Sequence, residues 1–72
     1  MQSLRFSVDP TLGRKGANDV MLTVAAWSEI ASAERVRGES FTYEVNLRKG
    51  ASSDDVLARL RTTPGVVSAS QS

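Results

Sequence analysis

The chain has 72 residues, with nine lysines and arginines against eight aspartates and glutamates, a formal net charge of +1. A chain this short buries only about 60% of the surface its unfolded form exposes, which allows one small core and a single domain over residues 1–72. Neither cysteine nor histidine is present, which excludes disulfides, thiolate metal sites and cysteine nucleophiles and removes the commonest general base at neutral pH.

Met1, Gln2 and Ser3 read as a short polar start. Leu4, Phe6 and Val8 alternate with Arg5, Ser7 and Asp9, the period of a strand with one wet face. Asp9-Pro10 stops that strand, because proline cannot extend the ladder. Residues 11–17, with Gly13 and Gly16 around Arg14-Lys15, read as a flexible loop or a frayed first turn. Asn18 is a good N-cap, and Val20, Val24, Trp27 and Ala31 then recur at helical spacing with Met21 and Ile30 beside them, which predicts a first helix fading near residues 31–33.

Residues 33–37 form a short charged strand, Gly38-Glu39 a turn, and Phe41, Tyr43, Val45 and Leu47 the apolar face of a partner strand, together a hairpin. Ser52 caps a second helix, with Asp54 and Asp55 at its positive end and Val56, Leu57 and Leu60 as its apolar stripe. Thr63-Pro64-Gly65 ends it. Residues 66–69 make a last strand and residues 70–72 a polar tail.

Strand, helix, strand, strand, helix, strand is the order of an α+β, ferredoxin-like βαββαβ fold: a four-stranded antiparallel sheet with both helices on one face. Leu4, Phe6, Val8, Phe41, Tyr43, Val45 and Leu47 face the helices. Arg5, Ser7, Thr42, Glu44, Asn46 and Arg48 are left on the open face.

The run from Phe41 to Gly50, the capped helix with Leu57 and Leu60, and Thr63-Pro64-Gly65-Val66-Val67-Ser68 resemble the second half of an ACT-type regulatory domain. They are also similar to the C-terminal ferredoxin-like domains that follow transmembrane helices in MgtC-like bacterial membrane proteins. The resemblance covers about half the chain. It implies a non-catalytic regulatory or assembly module, a soluble domain of a larger protein that acts by self-association or partner contact. The alternative that it implies is a small-ligand-sensing domain. ACT domains that bind amino acids carry Asp-x-Pro-Gly before the first helix, whereas here Asp9-Pro10 is followed by Thr11-Leu12.

Gly13-Arg14-Lys15-Gly16 places two cations and free amides before a predicted helix, so Arg14, Lys15 and Gly16 are the candidate anion-binding residues; the Lys-Ser/Thr pair of a phosphate loop is missing. Arg14 and Asn46 are the residue types of an acylphosphatase, without its surrounding motif. Residues 37–43 echo the third-strand motif of RNA-recognition domains, the second alternative. Glu39 stands there where an aromatic is expected, and Phe41 and Tyr43 share the parity of the core. Asp54-Asp55 reads as helix capping rather than a carboxylate pair for catalysis. Glu34, Arg35 and Arg37 on the charged edge, with Trp27, are the candidate interface.

The chain is therefore expected to be no enzyme, to hold no metal or cofactor, to bind no nucleic acid and to form a weak homo-oligomer. The longest apolar run, residues 20–27, is interrupted by Thr23 and falls far short of the ~20 residues of a membrane span. No apolar leader follows Met1. The expected location is the cytoplasm, with tethering to a membrane through an upstream segment as one arrangement.

Overall fold

The structure is a computed structural model that describes residues 2–71. Met1 and Ser72, the outer ends of the expected polar start and tail, lie outside the described residues. In chain order the elements are β1 (Ser3–Val8), a 3-10 turn (Pro10–Leu12), α1 (Gly13–Ala25), β2 (Ile30–Arg35), β3 (Thr42–Leu47), α2 (Ser53–Arg61) and β4 (Val66–Gln71). The sheet runs β2-β3-β1-β4 with every neighbour antiparallel. This is the expected ferredoxin-like arrangement, with both helices on one face.

Strand alternation decides which face is dry. Leu4, Phe6 and Val8 of β1 and Tyr43, Val45 and Leu47 of β3 are buried, and they meet Ala17 and Val24 of α1, Ile30, and Val56 and Leu60 of α2. Phe6 and Tyr43, directly opposite in the register, stack with ring centroids 5.5 Å apart. Val20, Met21, Trp27, Phe41 and Leu57 pack against this core while remaining partly exposed. Among the described residues no buried side chain is polar or charged, so the buried contact between the layers is apolar.

The first helix departs from the sequence reading at both ends. Of the two readings of residues 11–17, the structure has the helical turn and not the loop: the helical path opens at Pro10, and Asn18 lies inside α1. The Asp9 carboxylate accepts a hydrogen bond from the Thr11 N–H at 2.9 Å, and Pro10 occupies the first helical position, where its fixed φ and missing N–H suit a helix start. Asp9-Pro10 thus ends the strand and starts the helix in one step.

At the other end α1 stops at Ala25, because the chain must reach back to the sheet. The Trp27 N–H donates to the Val24 carbonyl and the Ile30 N–H to the Trp27 carbonyl, at 3.0 and 3.1 Å. Ile30 therefore belongs to β2, opposite Leu47 and 2% exposed, instead of extending the helix. β2 covers residues 30–35 in place of 33–37, with a register shift between Ile30 and Ser32.

α2 agrees with its capping signals: the Ser52 hydroxyl accepts from the Asp55 N–H at 3.3 Å, with Asp54 and Asp55 in the first turn and Arg59 and Arg61 in the last. The strand that follows is longer than its apolar residues suggest. Ser70 and Gln71 pair with Arg5 and Leu4, since ladder hydrogen bonds come from the backbone and need no apolar side chain.

Candidate functional site

The open face of the sheet is closed upon itself. Arg5 Nε donates to Glu44 at 3.1 Å, Ser7 and Thr42 share a hydroxyl hydrogen bond at 3.2 Å, and the Asn46 amide donates to the Ser32 hydroxyl at 2.9 Å. Each bond crosses between neighbouring strands and engages polar groups that a ligand would use. No aromatic residue lies on this face to stack a base. Asn46 and Arg14, the two acylphosphatase residue types, do not converge. Arg14 lines a cleft at the Tyr43 end of the hairpin, and Asn46 is committed to Ser32 further along β3.

That cleft, of about 430 Å³, is bordered by Arg14, Arg35, Arg37, Gly38, Glu39 and Ser40. Arg14 sits in the first turn of α1, which has no side-chain cap and no acidic residue there. Arg35 ends β2, and Arg37 stands in the turn that the Glu39 N–H closes onto the Val36 carbonyl at 3.1 Å. Among the described residues the two ion pairs are Arg5–Glu44 and Arg59–Glu29, so none of these three guanidinium groups has a carboxylate within bridging distance.

Of the three candidate anion residues the cleft takes up only Arg14. Lys15 is exposed on the same turn but does not border it. Gly16 serves packing, because a Cβ there would stand 2.7 Å from the Leu12 Cβ. Arg35 and Arg37, assigned from sequence to an interface, join Arg14 here. The signal was in the topology: the start of the first helix and the β2–β3 turn lie at one end of the sheet.

The two sheet edges differ. On β2, Glu34 and Arg35 are exposed, the register shifts near its start, and Glu34 stands opposite Glu44 of β3. Charge and a bulge are the usual guards against edge-to-edge pairing. β4 carries neither guard on its outer edge. Its residues are Val66, Val67, Ser68, Ala69, Ser70 and Gln71, none of them charged, and the Val67 side chain is 61% exposed. Its register shift, between Ser7 and Val8, falls where it meets β1.

A cleft of about 370 Å³ runs beside residues 66–69 with Arg61 on its rim. At the far end of the strand the Gln71 amide donates to the Ser53 hydroxyl at 3.4 Å, next to exposed Asp54 and Asp55. β4 is thus an uncharged strip, with a cation at its start and two carboxylates at its end.

Trp27 is half-buried, and the Arg59 guanidinium lies 4.1 Å from its ring centroid. Glu29 holds Arg59 from the other side at 3.6 Å. One face of the indole is therefore covered by the protein's own cation, which ties α2 to the α1–β2 connection. A further cleft of about 680 Å³ opens beside Leu47, Arg48, Lys49 and Ala51 at the opposite end of the hairpin.

The acidity of Asp9 departs from the ordinary. The Thr11 N–H, and then the Thr11 hydroxyl at 2.8 Å, stabilise its carboxylate and lower its pKa. The role is structural, since both bonds hold the 3-10 turn. Among the described residues no three acidic side chains gather where a metal ion would sit, and no helix is long and apolar enough to cross a membrane. No known family and no curated protein sequence matches the chain.

Proposed function

We propose that the domain is a non-catalytic assembly module that pairs with a second copy of itself through β4. The observation that carries this reading is the contrast between the two edges: β2 is charged and bulged, whereas β4 is an uncharged six-residue edge strand with an exposed valine. Two β4 strands meeting antiparallel about a two-fold axis would continue the sheet to eight strands. α2 runs back along β4, with Arg61 beside the start of the strand and Asp54 and Asp55 beside its end. The two-fold therefore brings the carboxylates of one copy towards Arg61 of the other, twice over.

Two six-residue strands make a small interface, below the about 1,200 Å² of weak, transient contacts, so the dimer is weak. The resemblance of residues 41–68 to ACT-type regulatory domains supports a regulatory or assembly role within a larger protein. The lack of histidine and cysteine supports a task other than catalysis.

Analytical ultracentrifugation from micromolar to millimolar protein tests the proposal. The wild-type chain dimerises within this range, and Val67→Lys holds it monomeric by placing a charge on the strip. Arg61→Asp and the double variant Asp54→Lys/Asp55→Lys each fail to self-associate, yet associate with one another when mixed, because both cross-axis contacts are then restored. A wild-type chain that stays monomeric at millimolar concentration refutes the proposal. Loss of the dimer in Arg37→Glu but not in Val67→Lys would move the interface to β2.

A further inference from the structure

We propose that the cleft between the first turn of α1 and the β2–β3 turn binds a phosphate monoester through Arg14, Arg35 and Arg37. The chain as a whole carries +1, but this cleft gathers three arginines against one carboxylate, Glu39, although Arg35 and Arg37 also border a neighbouring cleft with Arg5, Glu34 and Glu44. The two charges left over match those of a phosphate monoester near neutral pH.

Like charges lining one cleft repel one another, and a protein of balanced composition has enough acids to neutralise them. It does so elsewhere: Arg5 is bound to Glu44, and Arg59 to Glu29. In the cleft it does not. Arg14 also sits against local preference at the positive end of α1, whereas α2 carries acids at its start and arginines at its end. A cluster that breaks a rule kept elsewhere in the same fold marks a place where something other than folding is served.

The chemistry of the lining selects the ligand. Guanidinium groups present paired N–H donors that fit tetrahedral oxyanions two at a time. Arginines from two segments distant in sequence approach the cleft from different directions, and the Ser40 hydroxyl adds a further donor at its rim. A lone carboxylate is satisfied by one guanidinium and would leave the others unpaired. A phosphate, with three terminal oxygens, engages all three. Such a monoester is carried by small soluble metabolites and by lipid headgroups alike, and the site recognises what they share.

Isothermal titration of the full chain with phenyl phosphate, at low salt, reads the site directly. One saturable site per chain is expected. Arg14→Gln, Arg35→Gln and Arg37→Gln should each weaken it roughly 5- to 10-fold, because each removes one charge-assisted hydrogen-bond pair. Arg48→Gln removes the same charge from the opposite end of the hairpin and leaves the affinity within twofold of wild type. No saturable binding overturns the proposal, as does a Arg48→Gln variant that loses as much as the three cleft variants, since binding would then follow net charge alone. Co-sedimentation with phosphatidylcholine vesicles containing phosphatidic acid separates the two sources. Capture that phenyl phosphate displaces assigns the site to a lipid headgroup, whereas titration without capture assigns it to a soluble ester.

Discussion

Gly65 holds the turn between α2 and β4 against the start of α1, and replacing it with alanine separates two costs that usually come together. Its φ is +91°, a region where a side chain costs about 1–2 kcal/mol. A Cβ at this position would also stand 3.0 Å from both Leu12 Cδ1 and Val20 Cγ2. Gly50 supplies the comparison: its φ is +89°, and a Cβ there meets nothing within 4 Å. Gly50→Ala therefore carries the conformational cost alone. Gly65→Ala adds an overpacking cost of about 1 kcal/mol, the low end for such insertions because Leu12 is itself partly exposed and can give way.

A core of this size supplies roughly 3–5 kcal/mol in all, so the sum of about 2–3 kcal/mol removes most of the stability. Urea unfolding followed by circular dichroism measures it. With a denaturant slope near ~1 kcal/mol per molar for so small a domain, Gly65→Ala should unfold about 1 M earlier than Gly50→Ala, with an unchanged slope. The double variant Leu12→Ala/Gly65→Ala recovers part of that difference, because one of the two crowding atoms is gone while Val20 remains. Equal midpoints for Gly65→Ala and Gly50→Ala would refute the close seating of the turn.

Glu34 faces Glu44 across the β2–β3 pair, so Glu34→Lys turns a like-charge pair into an opposite one and should raise stability by about 0.2–1 kcal/mol, a few degrees in Tm; a lower Tm would contradict the register. Asp9 is held below its ordinary 3.8, first by the Thr11 N–H and then by the Thr11 hydroxyl. A depressed folded-state pKa stabilises the fold above the unfolded value and loses that effect as pH falls through the folded one. The Tm advantage of wild type over Asp9→Ala should accordingly be constant near neutral pH and shrink as pH falls below 3.8; an advantage that grows on acidification would exclude this origin.

Much of the fold was legible because its strongest signals are local. The alternation of Phe41, Tyr43, Val45 and Leu47 with polar residues needs no tertiary partner to be seen, and neither does the cap at Ser52. Errors arose where one residue serves two elements. Asp9-Pro10 both closes β1 and opens the helical path, so the cap-like Asn18 falls inside α1. Ile30 fits the helical spacing of Val24 and Trp27, yet its place is set by Leu47 across the sheet, a contact no local window contains. The three-arginine cleft was hidden for the same reason. Arg14 lies more than twenty residues from Arg35 and Arg37, and only the crossover that returns α1 to the sheet brings them to one end.

The positions of β4 and the arginine cleft carry a consequence for how the two would work together. The sheet order puts β4 on one edge and β2, with Arg35 and the turn bearing Arg37, on the other. In a dimer joined through β4 the order becomes β2-β3-β1-β4-β4-β1-β3-β2, with seven gaps between the outer strands. At ~4.8 Å each, the two outer strands stand about 34 Å apart, and the two-fold places the clefts at opposite ends of the joined sheet. No residue is shared between them, so soluble phenyl phosphate should bind wild type and Val67→Lys with the same affinity, and by reciprocity should leave the dimer constant unchanged. A surface that displays many phosphate monoesters is different: a dimer can engage two at once, and its second contact forms at the high effective concentration set by the first. Retention on a phosphate-bearing resin should therefore be stronger for wild type than for Val67→Lys at concentrations where the wild type is dimeric, and should converge on dilution. A change in soluble-ligand affinity upon Val67→Lys would show instead that the two sites are coupled through the sheet, and would refute their independence.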